Sequence, residues 1–264
     1  MKFELDKYTL KARLYPCFVV LFPAFVIAVF FITDFEKYRH YVTAVISLGF
    51  FTFLLSEVGR NKGLLKQNAL FENWGGAPTT QLLRHRDIWL DPVTKARYHK
   101  LLEKIVPDVK MPTVQEEIDD PKKADAIYAG CTRYVITKTR DTKKFPLIFK
   151  ENISYGFRRN LWGMKSWALT ILVGCFVINL YFGTQGFTNI YHLTTQDIAL
   201  FGFILIAAAF WIIVFTADWI RPTTYAYAER LFEALDTLGK ITTRNPINPN
   251  ADATLKGSAI KDNP

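Results

Sequence analysis

Four long apolar stretches, none containing Asp, Glu, Lys or Arg, constrain this chain more than any other feature. They run from Leu14 to Thr33, from Tyr41 to Ser56, from Trp167 to Gly183 and from Ile198 to Ala217. Because an α-helix rises about 1.5 Å per residue, about 20 residues cross a hydrocarbon core of about 30 Å. The first and fourth stretches have that length, and the other two reach it with their interfacial flanks. The sequence therefore predicts four transmembrane helices; the alternative is four buried helices of a soluble protein.

The composition agrees with a membrane protein that keeps its first helix. Half of the 264 residues are hydrophobic and 15% are aromatic, which is apolar for a soluble domain. Basic residues precede the first stretch, but no small-residue cleavage site follows it, so we expect a retained helix and not a signal peptide. The predicted fold is an all-α integral membrane protein in which a helical cytoplasmic domain is inserted between two transmembrane hairpins.

The distribution of Lys and Arg predicts the orientation. The N-terminus has four of them and the segment 57–166 has 21, whereas the short loop between the last two stretches has none. Because positive charge is retained in the cytoplasm, we expect both termini and the middle segment on the cytoplasmic side of a bacterial inner membrane. The net charge of +9 then faces anionic lipid headgroups. No nucleic-acid-binding module is recognisable, so no nucleic-acid partner is predicted.

Helix-start residues divide the middle segment into helices. Asp91 and Asp120 are each followed by Pro, which is favoured in the first turn of a helix. Thr113 and Glu116 have the spacing of a capping box. These patterns predict helices and not strands for the cytoplasmic domain.

The segment before the third apolar stretch, "FPLIFKENISYGFRRNLWGMK" (145–165), mixes aromatic rings with cations. Rings at headgroup depth and cations near phosphates predict an interfacial helix that anchors the domain at the inner leaflet. The alternative is a specific lipid or nucleotide phosphate bound by Arg158 and Arg159. The predicted membrane-interface residues are Trp162, Lys165, Trp167 and Trp219.

After the fourth apolar stretch, Arg221-Pro222 is expected to interrupt the helix, and an amphipathic helix is then expected to end at Gly239. The predicted segments are a first transmembrane hairpin (1–58), a cytoplasmic helical domain (59–144), an interfacial aromatic-basic helix (145–166), a second transmembrane hairpin (167–220), a cytoplasmic amphipathic helix (221–240) and a mobile tail (241–264).

The stretch "FENWGGAPTTQLLRHRD" (71–87) has the densest group of polar side chains. It contains the His-Arg-Asp of a kinase catalytic loop, but no glycine-rich loop, strand lysine or Asp-Phe-Gly accompanies it. Two interpretations remain. In the first it is a packing corner whose arginines pair with carboxylates; in the second it is a ligand pocket where Arg84, His85 and Arg86 bind an anion. At a packing corner, Arg84 and Arg86 can pair with carboxylates such as Asp87, Asp91 or Glu151.

No catalytic or cofactor motif is recognisable. The sequence has no Walker loop, GxSxG elbow or HExxH helix. A metal site from His85, His99 and Cys131 would combine three separate helices, and an enzyme using His85 with Asp87 or Asp91 would have no organised nucleophile. We therefore predict no catalytic residue, no metal and no cofactor.

The layout of two membrane hairpins around a cytoplasmic helical domain, with "FENWGGAPTTQLLRHRD", "DPVTKARYH" and "ENISYGFRRNLWG" as distinctive segments, resembles that of bacterial four-transmembrane proteins. It is similar in layout to the membrane effectors of nucleotide-signalling and anti-phage defence systems. The resemblance carries over no functional residue. It implies a homo-oligomer that perturbs the inner membrane when a cytoplasmic sensor is engaged.

The membrane stretches themselves favour packing over transport. They contain no ionisable group, which argues against ion-coupled transport. Gly49, Gly174 and Gly202 would allow close helix contacts, and Asn179 could hydrogen-bond a neighbouring helix or subunit. Packing within one bundle is favoured for these residues over lining a pore. The expected function is a regulated pore or membrane-perturbing effector, triggered by a small anionic ligand or a soluble cytoplasmic partner. The alternative is a membrane anchor for a soluble partner.

Overall fold

The computed structural model describes residues 7–31 and 38–244, with the backbone alone at residues 38–51, 53–55 and 241–244. Within these ranges the chain forms helices and no strand, so the all-α prediction is confirmed. A π-helical segment, Thr9–Leu14, continues into the first α-helix, and a short 3₁₀ helix, Ile190–His192, precedes the ninth. The α-helices are α1 (Tyr15–Phe31), α2 (Tyr38–Asn73), α3 (Pro78–Gln81), α4 (Pro92–Ile105), α5 (Val114–Asp119), α6 (Pro121–Lys138), α7 (Pro146–Gly163), α8 (Lys165–Gly183), α9 (Thr195–Ile213) and α10 (Ala217–Arg244).

The described residues form two compact units. Unit 1 contains the described residues up to Pro78 together with Phe149–Tyr227. Unit 2 contains Thr79–Ile148 together with the described residues from Ala228 onward. Unit 1 therefore holds α1, α2, α8 and α9, unit 2 holds α4, α5 and α6, and the remaining helices contribute residues to both.

Three helical segments are long and apolar enough to cross a membrane, namely Thr9–Phe31, Lys165–Gly183 and Thr195–Ile213. They correspond to the first, third and fourth apolar stretches, so a membrane-embedded helical protein is supported by helix length and composition. The second stretch, 41–56, lies within α2, and only the side chains of Thr52 and Ser56 in this stretch are among the described residues. The fourth span and the two-hairpin layout stay predictions.

Helix α2 is longer than expected. The predicted transmembrane helix ends at Ser56, but α2 continues to Asn73. The added segment contains no Pro and includes Leu, Lys and Glu residues, which favour helix, so no residue in it is expected to end α2. The helix ends before Gly75 and Gly76, whose φ angles of 81° and 132° favour glycine. The predicted boundary at residues 58 and 59 therefore falls inside a continuous helix, and unit 1 extends past it to Pro78.

The three candidate spans pack together through one buried face each. Between α8 and α9, the buried Asn179 donates through Nδ2 to the Asp197 carbonyl oxygen at 3.0 Å, which confirms the predicted hydrogen bond to a neighbouring helix. The outward faces of α8 and α9 expose large apolar side chains, as contact with lipid or another subunit requires. The shared core includes Cys17, Val20, Ala168, Leu172, Ile204 and Trp211.

Glycines bring α2 and α7 into backbone contact. Gly59 and Gly63 lie one turn apart on α2, and a Cβ atom on Gly163 would lie only 2.7 Å from the Gly63 nitrogen. No side chain fits in that space. Beside this crossing, the buried Asn160 donates to the Ala12 carbonyl oxygen at 2.8 Å. The predicted interfacial segment is thus a helix, α7, that packs into unit 1 at its C-terminal end.

Helix α10 corrects two predictions. The chain breaks directly after α9 and not at Arg221-Pro222, because Pro222 lies early in α10, where its missing N–H interrupts a single backbone hydrogen bond. The expected end at Gly239 is also wrong, since α10 continues to Arg244. A Cβ atom on Gly239 would lie 2.9 Å from Cδ2 of Leu101. This glycine therefore allows α10 to pack on α4 and does not end the helix.

The predicted helix starts of unit 2 are confirmed. At α4 and α6, the side chains of Asp91 and Asp120 accept the backbone N–H three residues ahead, at 2.8 and 3.0 Å. Thr113 and Glu116 form a complete capping box at α5. These local caps set the helix starts around a core that includes Leu82, Leu83, Leu102, Tyr128, Val135, Phe232 and Leu235.

Candidate functional site

The segment Arg84–Asp87 forms a corner of unit 2 around the carboxylate of Glu117, which is 2% exposed. This carboxylate accepts hydrogen bonds from the His85 N–H at 2.8 Å, the Tyr128 hydroxyl at 2.7 Å and the Arg86 N–H at 3.4 Å. The Arg86 guanidinium lies 3.9 Å from the same carboxylate. A buried carboxylate with several donors holds the backbone of this segment in one conformation.

Arg84 is paired with α6. Its Nε and Nη2 atoms donate to the two Asp125 carboxylate oxygens at 2.8 and 2.7 Å, which is a bidentate ion pair. The buried Lys95 ammonium donates to the Arg84 carbonyl oxygen at 2.7 Å and also to the Asp87 carbonyl oxygen. Interactions within unit 2 therefore account for most polar groups of this corner, as the packing interpretation expects. The carboxylates seen with the two arginines, Asp125 and Glu117, differ from the expected Asp87, Asp91 and Glu151.

Two histidines beside the corner also contact backbone carbonyls. Nε2 of His85 lies 2.8 Å from the Pro112 carbonyl oxygen, and Nε2 of His99 lies 2.7 Å from the Leu83 carbonyl oxygen. Since a carbonyl only accepts, each Nε2 donates its proton. The Cys131 thiol contacts a methionine sulfur at 3.8 Å. Within residues 7–31 and 38–244, no group of three His, Cys, Asp or Glu side chains could hold a metal ion.

The carboxylates considered as catalytic partners of His85 have local structural roles. Asp87 accepts from the Trp89 N–H at 2.9 Å, and Asp91 caps α4. A cavity of about 290 Å³ adjoins them and is lined by His85, Asp87, Asp91 and Lys95 together with apolar residues. Of the three residues predicted to bind an anion, His85 lines this cavity, whereas Arg84 and Arg86 do not.

Burial and hydrogen bonding shift two titratable groups at this corner. Burial lowers the pKa of His99 because desolvation disfavours the charged imidazolium. For Glu117, burial acts to raise the pKa, but the hydrogen bonds from His85, Tyr128 and Arg86 outweigh it and leave the pKa below its usual value. Both groups bind protons less readily in the folded protein than in the unfolded chain. Stability is therefore lost as the pH falls, first below 6.5 through His99 and then below 4.5 through Glu117.

We expect the purified protein to have a lower thermal unfolding midpoint at about pH 5.5 than at about pH 7.5. In His99→Gln this dependence should weaken, because glutamine keeps a donor for the Leu83 carbonyl but does not titrate. The control is His192→Gln, at the exposed His192, which should behave as the wild type. Circular dichroism melts at the two pH values measure the effect. An equal shift in wild type and His99→Gln would contradict this role of His99.

The two arginines of α7 are held by protein groups in unit 1. Arg158 donates through Nη1 to the Trp219 carbonyl oxygen at 2.6 Å, and its guanidinium carbon lies 4.7 Å from the centre of the Trp219 ring. Arg159 is 8% exposed and donates to Oε1 of Gln67 at 2.9 Å and to Oδ1 of Asn160 at 3.2 and 3.3 Å. These contacts hold α7 against α2 and the start of α10. A phosphate-binding role for the pair stays a prediction.

The four predicted membrane-interface residues lie around the start of α8. Trp162 and Trp219 pack on the same small apolar cluster. The Lys165 ammonium donates to the carbonyl oxygen of Ile212 in the last turn of α9 at 2.9 Å and to that of Phe215 just beyond the helix at 3.2 Å. The C-terminal end of a helix is a favourable place for a cation. Trp167 is exposed in the first turn of α8. The start of α8 and the end of α9 therefore lie at the same end of unit 1.

Ile88, Trp89 and Val93 form an exposed ridge that was not predicted from the sequence. These side chains are 95%, 55% and 80% exposed, although the Trp89 indole donates to the Glu229 carboxylate. Beside the ridge, α4 carries a groove of about 640 Å³ with a mainly apolar surface. Grouped apolar side chains of this size at a surface are typical of interaction sites. The sequence indication was an Ile-Trp-Leu run outside any helix periodicity, directly before the α4 cap.

Comparison of this chain with protein-family models, with curated proteins and with solved structures finds no match. The function must therefore be argued from the surfaces and contacts of the molecule itself.

Proposed function

We propose that this protein is an oligomeric inner-membrane protein that acts, without enzymatic activity, as a regulated pore or membrane-perturbing effector. The observation that carries the proposal is the outward face of α8 and α9. A Cβ atom on Gly174 or on Gly202 would meet no atom within 4 Å among the described residues. Neither glycine therefore serves packing against the described part of its own chain.

A glycine in a helix interior costs up to about 1 kcal/mol relative to alanine. In membrane helices, small residues allow a second helix to approach closely and gain van der Waals contact. The two open glycines are surrounded by exposed apolar side chains, which another copy of the chain would bury. These neighbours include Val173, Val177, Leu205 and Ile206.

Control by unit 2 would act through a population shift. A ligand or partner that binds one arrangement of unit 2 more tightly would favour the membrane packing that accompanies it. Helices α7 and α10 contribute residues to both units, so both provide a covalent helical connection for this coupling. The layout resemblance extends the proposal to anti-phage defence, with a small anionic ligand or a soluble partner as the trigger.

The proposed orientation places unit 2 in the cytoplasm. Lys165 and the α7 arginines lie where α8 begins and α9 ends. The segment 184–194, which connects the other ends of these two helices, has no Lys or Arg. This asymmetry is the one expected when the cationic end faces the cytoplasm.

We expect Gly174→Leu and Gly202→Leu to shift the protein toward the monomer by at least about tenfold, equivalent to about 1.4 kcal/mol. A Cβ atom has open space among the described residues at both positions, so the monomer should stay folded while close approach of a second copy is blocked. Gly130→Leu, at an open glycine of α6, is the matched control and should leave the oligomer unchanged. Native mass spectrometry from detergent gives the subunit number. Oligomers unaffected by both membrane substitutions would contradict the proposed contact.

The second candidate function is a membrane anchor for a soluble protein, and the exposed ridge favours it. The groove beside the ridge presents the cations Arg97, Lys100 and Lys104, so a partner segment with apolar side chains and carboxylates would be complementary. The anchor requires no contact between copies at Gly174 or Gly202. Subunit number therefore distinguishes the two candidates.

A further inference from the structure

The crossing of α2 with α7 brings lysines from distant parts of the chain together. Lys62 and Lys66 lie one turn apart on α2 beside the glycine contact, and Lys165 begins α8 just after it. The half-buried Lys66 ammonium lies 5.1 Å from the centre of the Trp162 ring. Its pKa is lowered by burial and by the nearby charges of Lys62 and Lys165. We refer to Lys62, Lys66 and Lys165 as the lysine cluster.

The lysine cluster forms no ion pair with a carboxylate in the described part of the chain. Among the described residues, no carboxylate lies within 4.0 Å of any of its three ammonium groups. The carbonyl oxygens that Lys165 contacts at the end of α9 hold its ammonium in place but carry only partial charge. The charges of Lys62 and Lys165 repel that of Lys66, and the partial burial of Lys66 increases this cost. An anion between them would remove it.

The position of the cluster indicates which anion. Lys165 is the first residue of a candidate membrane span, so the cluster lies at the end of that span and not at its middle. Tryptophan rings and lysines at such an end typically meet lipid headgroups. The α7 arginines are already engaged by Gln67, Asn160 and the Trp219 carbonyl oxygen, whereas Lys62 is exposed.

We propose that Lys62, Lys66 and Lys165, with the Trp162 ring beside Lys66, form a binding site for an anionic phosphate group. An anionic phospholipid of the cytoplasmic leaflet or a soluble phosphate ligand can supply that group. The site does not depend on whether the protein forms a pore.

The test uses the full-length protein in neutral detergent micelles, titrated with brominated phosphatidylglycerol while tryptophan fluorescence is recorded. Lys62→Gln should bind this lipid about fivefold more weakly, and Lys62→Gln/Lys66→Gln weaker by about the square of that factor, as expected for lysines beside an anionic headgroup. The matched control is Lys150→Gln, at an exposed lysine of α7, which should bind as the wild type. Because Lys62 is exposed, the single variant keeps the test valid if the double variant does not fold.

Competition with inorganic phosphate, at constant ionic strength set by chloride, identifies the source of the group. Lysine-dependent lipid binding that phosphate does not displace supports a lipid headgroup. Displacement by phosphate in the wild type, but not in the lysine variants, supports a soluble ligand at the same site. Equal lipid affinity in wild type, Lys62→Gln and Lys150→Gln, with no phosphate effect, would overturn the proposal.

Discussion

Gly163→Leu should prevent unit 1 from reaching its native packing. A Cβ atom at this position would lie 2.7 and 2.9 Å from the nitrogen and Cα of Gly63 and 3.3 Å from the Gly59 carbonyl oxygen. These are backbone atoms of a helix, so a change of side-chain rotamer cannot relieve the contact. Overpacking that is relieved by side chains costs about 1–3 kcal/mol, and we expect a larger cost, above about 3 kcal/mol, where a whole helix must move.

The measurement is the fraction of purified protein that remains monodisperse in size-exclusion chromatography after heating. The monodisperse fraction of Gly163→Leu should be lost at temperatures well below the wild-type midpoint. The midpoint of Gly163→Ala should lie between those of Gly163→Leu and the wild type. Gly130→Leu, at an open position on α6, should be at least as stable as the wild type, because leucine is the better helix former. A wild-type midpoint for Gly163→Leu would show that α2 and α7 do not cross at these glycines.

Glu117→Ala should unfold the corner around Arg84–Asp87. The substitution leaves the Tyr128 hydroxyl and the His85 N–H, which donate at 2.7 and 2.8 Å, without their acceptor inside unit 2. Each buried donor left unpaired costs about 1–3 kcal/mol, so we expect unit 2 to lose about 3 kcal/mol or more. Glu117→Gln keeps an acceptor of the same size and should lose less.

Hydrogen exchange measured by mass spectrometry reports this change locally. In Glu117→Ala, the amides of residues 84–87 and of α5 should lose protection, while the candidate membrane spans keep theirs. Asp119→Ala, at an exposed carboxylate on the same helix, is the control and should change little. Wild-type protection of residues 84–87 in Glu117→Ala would mean that the Glu117 carboxylate does not hold this segment.

The features predicted correctly from the sequence are those set by short-range chemistry. Asp91, Asp120 and the Thr113–Glu116 box define helix starts because each cap involves residues within three positions of one another. The three candidate spans found as helices were predictable from composition, because length and hydropathy suffice to identify them. The hydrogen bond of Asn179 was predictable because a polar side chain in an apolar helix needs a nearby partner.

The features that were missed depend on contacts between residues far apart in the chain. Gly239 follows an amphipathic pattern, as a glycine at a helix end does, but here the absence of a side chain leaves room for Leu101 of another helix. Glu117 lies among charged residues, a context typical of exposed side chains. It is nevertheless buried, and His85 and Tyr128 from two other segments donate hydrogen bonds to its carboxylate. The partner of Arg84 is Asp125, 41 residues away, and no periodicity or spacing relates the two. The exposed ridge was missed because apolar residues are taken as core by default.

Cryo-electron microscopy of the full-length protein in lipid nanodiscs would show whether α8 and α9 present a surface for another copy of the chain. We predict a ring of copies in which neighbours meet at Gly174 or Gly202 and enclose an axial path, open or gated. A monomer with lipid against both glycines, or a monomer with a soluble protein over the exposed ridge, would contradict it, and the second outcome would favour the anchor.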